Sequence, residues 1–554
     1  MYICSDFQDF KKTFIGLKNP KYLVIPVDLS PQKKENLELN DFLKNKEFCC
    51  LENNLGYKVD VLNEIHDLFQ KNLNKNWLYS YTSKVLLSVK QIDALNKVFL
   101  INSFVKKNST SNLVIFCPDS RINNLLANIY LGRKKFLRIK FPSLYAWLRF
   151  FRTFLRVLFN LQPRVNANTL ILTLSSPTSK NYIDPYYGDL PLISDKNKKS
   201  IFIYLSSGYK IPLYKNNKIL PLEAFAKVTD VLNAWLITLI EGWKYSLPKN
   251  DDGSLFYYEI NKFLRASEIS NGDFFYHCFL KASFSRIFNS LSPSTILYPF
   301  ENRSWEKLLL HSAYEVGIKN TIGYQHSSIT ERHLALKILD NELRPKDLPL
   351  KIITSGQVTL EWLKLHSPAI AKKLICGGSL RKVKEKLNLP SQKGILVPIS
   401  SSINEARLIL TVLNGLSDKI SMPIIVRSHP TINIDQLFNA MKWNSNITLS
   451  KEKKLSEDLT CCHLVLYSSS TVAIEGMLSG RLPIFLDIGD IPSGDPLLGN
   501  AFFSVKCEND IVKVMKKIDS WTSSELKKNQ SKALLFSKSY LQDVTPQKFL
   551  SLLD

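Results

Sequence analysis

Short apolar runs that end in polar residues recur along this chain. Runs of this kind form the buried strands of parallel sheets, and segments with apolar residues at three- and four-residue spacing separate them here. The alternation of strands with helices predicts an α/β fold with doubly wound parallel sheets. The predicted strands lie at residues 21–29, 113–118, 169–176, 200–205, 295–298, 321–324, 352–356, 374–379, 395–402, 424–426, 465–466 and 481–487. Predicted helices lie at residues 59–72, 85–99, 143–160, 222–243, 305–317 and 472–480.

The order of these elements predicts two doubly wound domains that face each other across a cleft. Residues 166–343 form the first domain and residues 350–540 the second, with residues 344–349 as the linker. An accessory α/β region at residues 1–132 and a basic amphipathic helix within residues 133–165 precede them. Ligands of open α/β sheets bind in the crevice beyond the carboxyl ends of the strands. The polar residues that follow each strand are therefore the candidate site.

The composition is that of a folded protein. Hydrophobic residues make up 45% of the 554 residues and charged residues 22%, a balance that argues against disorder. The nine cysteines show no CxxC pair and no metal-ligand spacing, which predicts a reducing, cytosolic setting. Residues 1–12 contain no apolar signal segment, so export is not expected.

A formal net charge of +24 implies an anionic partner, unless the basic surface is merely solvated. Nucleic acid, an anionic membrane and a nucleotide sugar all carry the required negative charge. The sequence contains no helix-turn-helix, zinc-finger or RNP pattern, so nucleic acid is not an expected partner.

The positive charge is densest in residues 133–164, where nine Lys or Arg residues occur with no Asp or Glu. The helix predicted at residues 143–160 has Arg149, Arg152 and Arg156 on one stripe and mainly aromatic and leucine side chains on the rest. Each arginine would cost about 2.5–3.5 kcal/mol at a bilayer centre, so the helix should not span a membrane. We expect it to lie in the headgroup interface with its arginines on anionic lipid. An ordinary helix packed between domains is the alternative.

Two polar clusters follow strands of the second predicted domain. One cluster contains Arg427, His429 and Pro430, after the strand at residues 424–426. The other is a run of four hydroxyl residues that opens a helix, where backbone N–H groups and the helix dipole favour a phosphate. Without such a ligand, the run would serve only as a cap and turn. The four hydroxyl residues are Ser468, Ser469, Ser470 and Thr471.

Further polar residues belong to the same half of the chain. Glu475 lies one helical turn after Thr471, where a carboxylate can accept two ribose hydroxyls while a phosphate lies at the helix start. Ser400 and Ser401 precede another predicted helix, which gives the cleft a second helix N-terminus.

A strand that ends in His-Pro, followed some forty residues later by a Ser-Ser turn, resembles the donor-site motifs of bacterial sialyltransferases, polysialyltransferases and Kdo transferases. Those families have a GT-B fold and use CMP-activated sugars. The resemblance implies that His429, Ser468 and Ser469 bind the phosphate of a CMP donor. It covers roughly residues 169–487, and the segments YPFENRSWE and GYQHSS resemble bacterial surface-carbohydrate biosynthesis proteins. CDP-glycerol transferases also combine a His-Pro with a Ser-Ser turn, so the donor stays open.

Candidate acceptor-side residues follow two strands of the first predicted domain. Glu301 follows the strand at residues 295–298, and His326 follows the strand at residues 321–324. A buried carboxylate beside aromatic residues has a raised pKa, which suits a general base. Structural capping is the alternative role for both residues.

Two aspartates, Asp184 and Asp189, stand among tyrosines after the strand at residues 169–176. Aromatic faces and carboxylates are what a polyhydroxylated acceptor requires, although Asp is also typical of turns. The pair Asp251-Asp252 resembles an acidic catalytic motif of sialyltransferases. No apolar strand leads into this pair, so a surface turn is predicted there.

These residues predict a glycosyltransferase that moves a Kdo- or sialic-acid-like sugar from a CMP donor to a surface polysaccharide or lipopolysaccharide. The expected partners are the nucleotide sugar, an oligosaccharide or lipid-linked acceptor, and the anionic inner face of the plasma membrane. No cofactor and no metal are expected, because no DxD motif lies near a strand end and helix N-termini supply positive potential. A CDP-glycerol-type phosphotransferase and a non-catalytic polysaccharide-assembly scaffold are the alternatives.

Overall fold

The structure is a computed structural model, in which the chain forms two compact units. The first unit contains Met1–Arg164, Glu223–Ser290 and Asn302–Val316. The second contains Val165–Leu222, Leu291–Glu301 and Gly317–Asp554. The residues that the structure describes are 2–4, 21–24, 49–50, 98, 101–102, 105, 113–116, 120–131, 142–160, 165–177, 183–193, 200–205, 219–244, 255–338, 340, 343–344, 346–381, 393–450, 453–489 and 493–553.

The first unit carries a small parallel sheet. Its strands are β1 (Tyr2–Cys4), β2 (Lys21–Val24), β3 (Cys49–Cys50) and β4 (Leu113–Phe116). They are ordered β1-β4-β2-β3, so the two strands predicted in this region pair directly. The helix predicted at residues 59–72 lies outside the described residues. So does the helix predicted at residues 85–99, apart from Val98, which is helical.

Helices, numbered along the whole chain, make up most of the rest of the described part of the first unit. They are α1 (Ser120–Leu131), α2 (Leu144–Phe159), α4 (Val228–Lys244), α5 (Leu255–Asn271), α6 (Asp273–Leu291) and α7 (Ser304–Glu315). Among the helices that the structure describes, none combines the length and apolar character needed to cross a membrane.

The N-terminus of α2 is fixed to the turn between α5 and α6. The Ser143 hydroxyl accepts a hydrogen bond from the Ala146 N–H at 3.4 Å and donates one to the Ser270 carbonyl at 2.6 Å. Gly272, in the left-handed region at φ +74°, allows the close approach, because a Cβ there would lie 3.1 Å from the Ala146 Cα atom. The start of α2 is therefore set by contacts with its own unit.

Two arginines of α2 are turned toward acids of the first unit. Arg149 lies 2.5 Å from the Asp273 carboxylate, and Arg156, whose side chain is 8% exposed, lies 3.4 Å from the Glu223 carboxylate. This arrangement corrects the predicted outward stripe for Arg149 and Arg156. Glu223 is buried and requires a cation beside it, which Arg156 supplies, whereas Asp273 is partly exposed. Arg152 is half-buried, and its predicted contact with lipid stays a prediction.

Replacing Arg156 with Met should lower the free energy of unfolding by about 3–5 kcal/mol, because Glu223 would stay buried without this cation. The double variant Arg156→Met/Glu223→Gln should recover most of that loss, since it removes both charges together. Urea unfolding followed by circular dichroism measures both changes. If Arg156→Met unfolds at the same urea concentration as the natural protein, the pair does not stabilise the unit.

The second unit contains two parallel sheets. The strands of the first are β5 (Thr169–Thr173), β6 (Ser200–Tyr204), β7 (Ile219–Pro221), β8 (Thr295–Pro299), β9 (Asn320–Gln325), β10 (Lys351–Thr354) and β11 (Leu374–Cys376). Helices α3 (Leu190–Ile193) and α8 (Gln357–His366) lie between them in the chain. The order is β11-β10-β9-β8-β5-β6-β7. The chain therefore fills one side of β5 and then the other, which is doubly wound topology.

The second sheet repeats this topology. Its strands are β12 (Ile395–Pro398), β13 (Ile424–Arg427), β14 (Ile447–Ser450), β15 (Leu464–Tyr467), β16 (Leu482–Leu486) and β17 (Phe503–Val505), in the order β14-β13-β12-β15-β16-β17. The accompanying helices are α9 (Ile403–Leu416), α10 (Asp435–Asn439), α11 (Leu455–Thr460), α12 (Val472–Leu478), α13 (Glu508–Asp519), α14 (Ser523–Tyr540) and α15 (Pro546–Leu550). The two sheets confirm the predicted α/β class with two doubly wound parallel sheets.

The structure moves the predicted boundary between the two sheets. β10 pairs with β9 and β11 pairs with β10, so residues 351–376 belong to the first sheet. The sequence predicts these residues in the second domain. It also predicts Glu223–Ser290 in the domain of residues 166–343, whereas the structure groups this segment with Met1–Arg164. The sequence of an apolar strand does not determine which sheet the strand joins, because tertiary packing selects the neighbouring strand.

The C-terminal segment returns to the first sheet. Phe549 of α15 is fully buried in that sheet's core. The Tyr540 hydroxyl accepts from the Ile329 N–H at 2.8 Å and donates to the Ile329 carbonyl at 3.2 Å. A Cβ at Gly356 would lie 2.4 Å from the Tyr540 carbonyl oxygen, so only glycine allows this approach. The segments that carry Ile329 and Gly356 are thus held by the end of the chain.

Candidate functional site at the second sheet

The order of the second sheet reverses between β12 and β15, which are neighbours in the sheet but not in the chain. Loops that leave such strands in opposite directions open a crevice at the carboxyl ends, where ligands bind in this class of fold. The loop after β12 carries Ser400 and Ser401 and leads into α9. The loop after β15 carries the predicted hydroxyl run and leads into α12. Both predicted serine clusters therefore lie at this switch point.

Glu405 joins the two serine loops. It lies in the first turn of α9, is 3% exposed, and accepts hydrogen bonds from the Ser469 N–H at 3.1 Å and the Ser469 hydroxyl at 2.7 Å. The hydroxyl of Ser402, the N-cap of α9, accepts from the Glu405 N–H at 3.3 Å and fixes the helix start. The Ser469 donors that were predicted to face a phosphate are thus directed to a carboxylate of the chain itself.

Arg332 reaches the same carboxylate from the segment that follows β9. Its Nη1 atom lies 3.6 Å from the Glu405 Oε2 atom. Gly494 packs against the neighbouring groups, because a Cβ there would lie 2.6 Å from the Arg332 Cζ atom and 2.7 Å from the Ser469 Cβ atom. A side chain at Gly494 would therefore push apart the residues that meet at the switch point.

Glu331 anchors the segment that carries Arg332. Its carboxylate lies 2.6 Å from the Lys337 Nζ atom and 3.4 Å from the Nε1 atom of Trp362 in α8. Burial alone would raise the pKa of Glu331, but the hydrogen bond and charge of Lys337, together with His366 and Trp362, hold it below its ordinary value. Glu331 is therefore ionised at neutral pH and ties the segment to α8.

The rest of the hydroxyl run shapes the start of α12. Ser468 and Ser470 are buried, and the Ser470 hydroxyl accepts from the Val472 N–H at 3.4 Å. Thr471 is the N-cap residue of this short helix. The role of these residues in phosphate binding stays a prediction.

Glu475, predicted to hold ribose, pairs with a half-exposed arginine. Its Oε1 atom lies 2.5 Å from the Nη2 atom of Arg381, which follows β11 of the first sheet. Arg381 thus brings a second positive charge from the first sheet to the helix that starts at the switch point. The contact of Glu475 with ribose stays a prediction.

His429 follows β13 and is half-buried. Its Nδ1 atom accepts hydrogen bonds from the Thr431 N–H at 3.2 Å and from the Thr431 hydroxyl at 2.7 Å, so the neutral ring carries its proton on Nε2. Burial lowers the pKa of His429 below its ordinary value and favours this neutral form. β13 pairs with β12 with Arg427 opposite Pro398, so His429 and Ser400 leave the same edge of the sheet.

Arg427 has partners within the second sheet. Its Nη1 atom lies 2.6 Å from the carboxylate of Asp458, which is buried, and donates to the Lys453 carbonyl at 2.9 Å. These contacts direct the guanidinium toward the segment around α11, and its assistance to a phosphate stays a prediction. Pro430 is exposed in the turn after His429.

The first sheet brings two predicted residues to one edge. Glu301 and His326 follow β8 and β9, which are parallel neighbours, and both side chains are half-buried. The His326 ring packs edge-on against the Tyr186 ring, with centroids 4.5 Å apart. Tyr324 of β9 is fully buried, and its hydroxyl donates to the Gly378 carbonyl at 3.3 Å.

Asp184 organises a tight turn beside this edge. Its Oδ1 atom accepts from the N–H groups of Tyr186 at 2.7 Å and Tyr187 at 3.0 Å, and its Oδ2 atom accepts from the Thr173 hydroxyl at 2.6 Å. Because both oxygens bind groups of the chain, the structure gives Asp184 the turn-forming role. Asp189 is half-buried directly before α3, and its catalytic role stays a prediction. The pair Asp251-Asp252 lies outside the described residues.

Arg332, Arg381 and Glu405 were not among the predicted site residues. The Ser402–Glu405 spacing matches a capping box, which predicts a helix start but not a contact with Ser469, 64 residues later. Within the described part of the chain, no three His, Cys, Asp or Glu side chains are grouped to hold a metal ion. That no metal is needed stays a prediction.

Comparisons with known proteins give a broad likeness. No family model and no curated protein sequence matches this chain. Solved structures similar to it include S. aureus MnaA with UDP, at 10% identity over 70% of this chain and 95% of that chain, with a TM-score of 0.41. MurG of Acinetobacter baumannii is 8% identical over 70% and 99%, with a TM-score of 0.40. The wall teichoic acid polymerase TagF is 12% identical over 78% and 95%, with a TM-score of 0.37. Scores at this level assign neither a family nor a function.

Replacing Glu405 with Ala should lower the free energy of unfolding by about 3 kcal/mol, because Ser469 would lose its acceptor and Arg332 its counter-charge. Glu405→Gln keeps an acceptor oxygen but removes the charge, so its loss should be about half as large. Chemical denaturation of the two variants measures both values. An unchanged stability of Glu405→Ala would show that this contact does not hold the serine loops together.

Proposed function

We propose that the protein is a nucleotide-sugar-dependent glycosyltransferase whose donor binds at the switch point of the second sheet. The observation that carries this proposal is the meeting of Arg332, from the first sheet, with Glu405 and Ser469 at that switch point. Arg381 adds a second arginine from the first sheet. Arginines at the ligand-binding edge of an α/β sheet suit a ligand that carries phosphate.

In this proposal the donor phosphate lies between the N-terminus of α9 and His429. The 14-residue helix α9 follows Ser400, Ser401 and Ser402, and the N–H groups and dipole of its first turn favour an anion. The N–H groups of Ser470 and Thr471 complete the site. Arg427 assists from β13 if it exchanges its present partner for the phosphate.

Fixed donors lower the barrier most where negative charge develops, and in glycosyl transfer that is the oxygen of the departing phosphate. The Nε2–H group of His429 and the serine loops stabilise this oxygen. Glu475 accepts the ribose hydroxyls with Oε2 while Arg381 holds Oε1.

The acceptor hydroxyl lies at the edge of the first sheet. Glu301, His326 and Asp189 are the candidate bases that remove its proton as the bond between the sugar and the donor phosphate breaks. Tyr186, packed against His326, offers an aromatic face to a sugar ring.

Within this function class, we propose a CMP-activated sugar of the Kdo or sialic-acid type, because the His-Pro and Ser-Ser motifs resemble those of enzymes that use such donors. The proposed acceptor is a surface polysaccharide or lipopolysaccharide. It is extended at the inner face of the plasma membrane, where this chain acts as a peripheral protein.

A nucleotide panel tests the donor class. CMP should raise the free energy of unfolding by about 2.7 kcal/mol at about 100 times its dissociation constant, measured by thermal unfolding, while UMP, UDP and GDP should have little effect. A preference for CDP would indicate a glycerol-phosphate donor instead. A preference for UDP or GDP would indicate a hexose transferase, and no response to any nucleotide would favour a non-catalytic scaffold.

His429→Ala should abolish sugar transfer from the CMP donor and leave the melting temperature within a few degrees, because the side chain is only half-buried. His429→Gln should retain part of the activity, since its amide N–H replaces the donor on Nε2. Transfer assays with the two purified variants measure both effects. Full activity of His429→Ala would remove this residue from the mechanism.

A further inference from the structure

One face of α2 exposes a continuous apolar stripe. The exposed positions recur every three or four residues, so they lie on one side of the helix. Leu144, Leu148, Phe151, Leu155 and Leu158 are between 48% and 76% exposed. The opposite side of α2 is packed against its own unit by Ala146, Phe150 and Val157.

Helix α4 packs beside α2 and has exposed apolar residues of its own. Trp235 of α4 is buried between the two helices, with its ring centroid 4.5 Å from that of Trp147 and 4.8 Å from that of Phe150. An extended exposed apolar patch is typical of a docking surface rather than of ordinary solvent-facing helices. We name the combined surface the α2/α4 face. Its α4 residues are Leu232, Leu236, Ile237 and Ile240, all exposed.

The acidic residues of α4 are neutralised within the first unit. Asp230 binds Arg286 at 2.8 Å, and Glu241 binds Arg265. Helix α2 contains no acid. The α2/α4 face therefore presents no uncompensated negative charge from either helix.

The sequence that leads into α2 is strongly basic. Residues 133–140 contain five Lys or Arg residues, and no Asp or Glu occurs in residues 133–164. An exposed apolar helix face that follows a basic segment in the sequence matches an anionic lipid interface, which buries apolar side chains and attracts basic ones. A second copy of this chain is a poorer occupant, because two copies that each carry a formal net charge of +24 repel each other.

We propose that the α2/α4 face docks on an anionic bilayer, with its leucine and phenylalanine side chains in the boundary between headgroups and acyl chains. Arg149 and Arg156 then hold α2 on the protein, and the apolar stripe meets the lipid. The inference deepens the membrane location proposed above and does not depend on the transferase activity.

Sedimentation with vesicles tests this proposal on the full chain. Vesicles of phosphatidylcholine with phosphatidylglycerol should bind the natural protein, and vesicles of phosphatidylcholine alone should bind it more weakly. Leu148→Ser/Phe151→Ser should reduce binding to the anionic vesicles at least about ten-fold. The matched control is Leu365→Ser, since Leu365 is 76% exposed on α8 of the second unit, and it should bind like the natural protein.

Equal binding by Leu148→Ser/Phe151→Ser and the natural protein would overturn the proposal, as would absence of binding to anionic vesicles. The proposal would also be overturned if the natural protein binds no vesicles but forms a dimer in solution that Leu148→Ser/Phe151→Ser dissociates. The melting temperature of each variant shows whether the fold is intact, and its stabilisation by CMP shows whether the donor site is intact. A variant that keeps both but binds vesicles weakly has lost only the membrane-binding face. As a second measurement, brominated lipid should quench the tryptophan fluorescence of the natural protein more than that of Trp147→Phe. Equal quenching of the two proteins would count against insertion of this helix.

Discussion

A buried carboxylate, Glu405, holds together the loops at the switch point of the second sheet. Burial of a charge is costly unless donors and a counter-charge surround it, and here Ser469 supplies both donors and Arg332 the charge. These two partners come from the loop after β15 and the segment after β9, and Glu405 itself lies in the first turn of α9. Because one carboxylate binds both partners, the serine loops and Arg332 have a fixed arrangement at the switch point.

The repeating strand and helix pattern was sufficient to predict the doubly wound sheets, because apolar runs that end in polar residues mark strand ends locally. Helix starts could also be predicted from a few neighbouring residues, as for α9, where Ser402 is the N-cap residue. The sheet to which β10 and β11 belong was not readable, since neighbouring strands are chosen by packing. Arg332 and Arg381 were missed for the same reason: each meets its acid across 73 or 94 residues, and no spacing rule reaches that far.

Helix α2 shows how an amphipathic pattern can be correct while its orientation is not. The sequence separates arginines from leucines and phenylalanines, and hydrophobicity alone would bury the second group. Asp273 and Glu223 lie 124 and 67 residues away from the arginines they bind, so the sequence near α2 gives no sign of them. Two ion pairs and the Trp235 contact place the arginines inward and leave the apolar stripe exposed. The ion pairs, of which only Arg156–Glu223 is buried, thus account for the inward orientation of the arginines.

The segment that carries Arg332 is fixed at two further points. Ile329 is bound through both backbone groups to Tyr540, and Glu331 is bound to Lys337 and Trp362. The backbone therefore has little freedom, whereas the Arg332 side chain has several rotatable bonds. Glu405 also accepts hydrogen bonds from Ser469, so the contact that joins the two serine loops does not depend on the position of the Arg332 side chain. Movement of that side chain would nevertheless take this counter-charge away from the buried carboxylate, at a cost in stability.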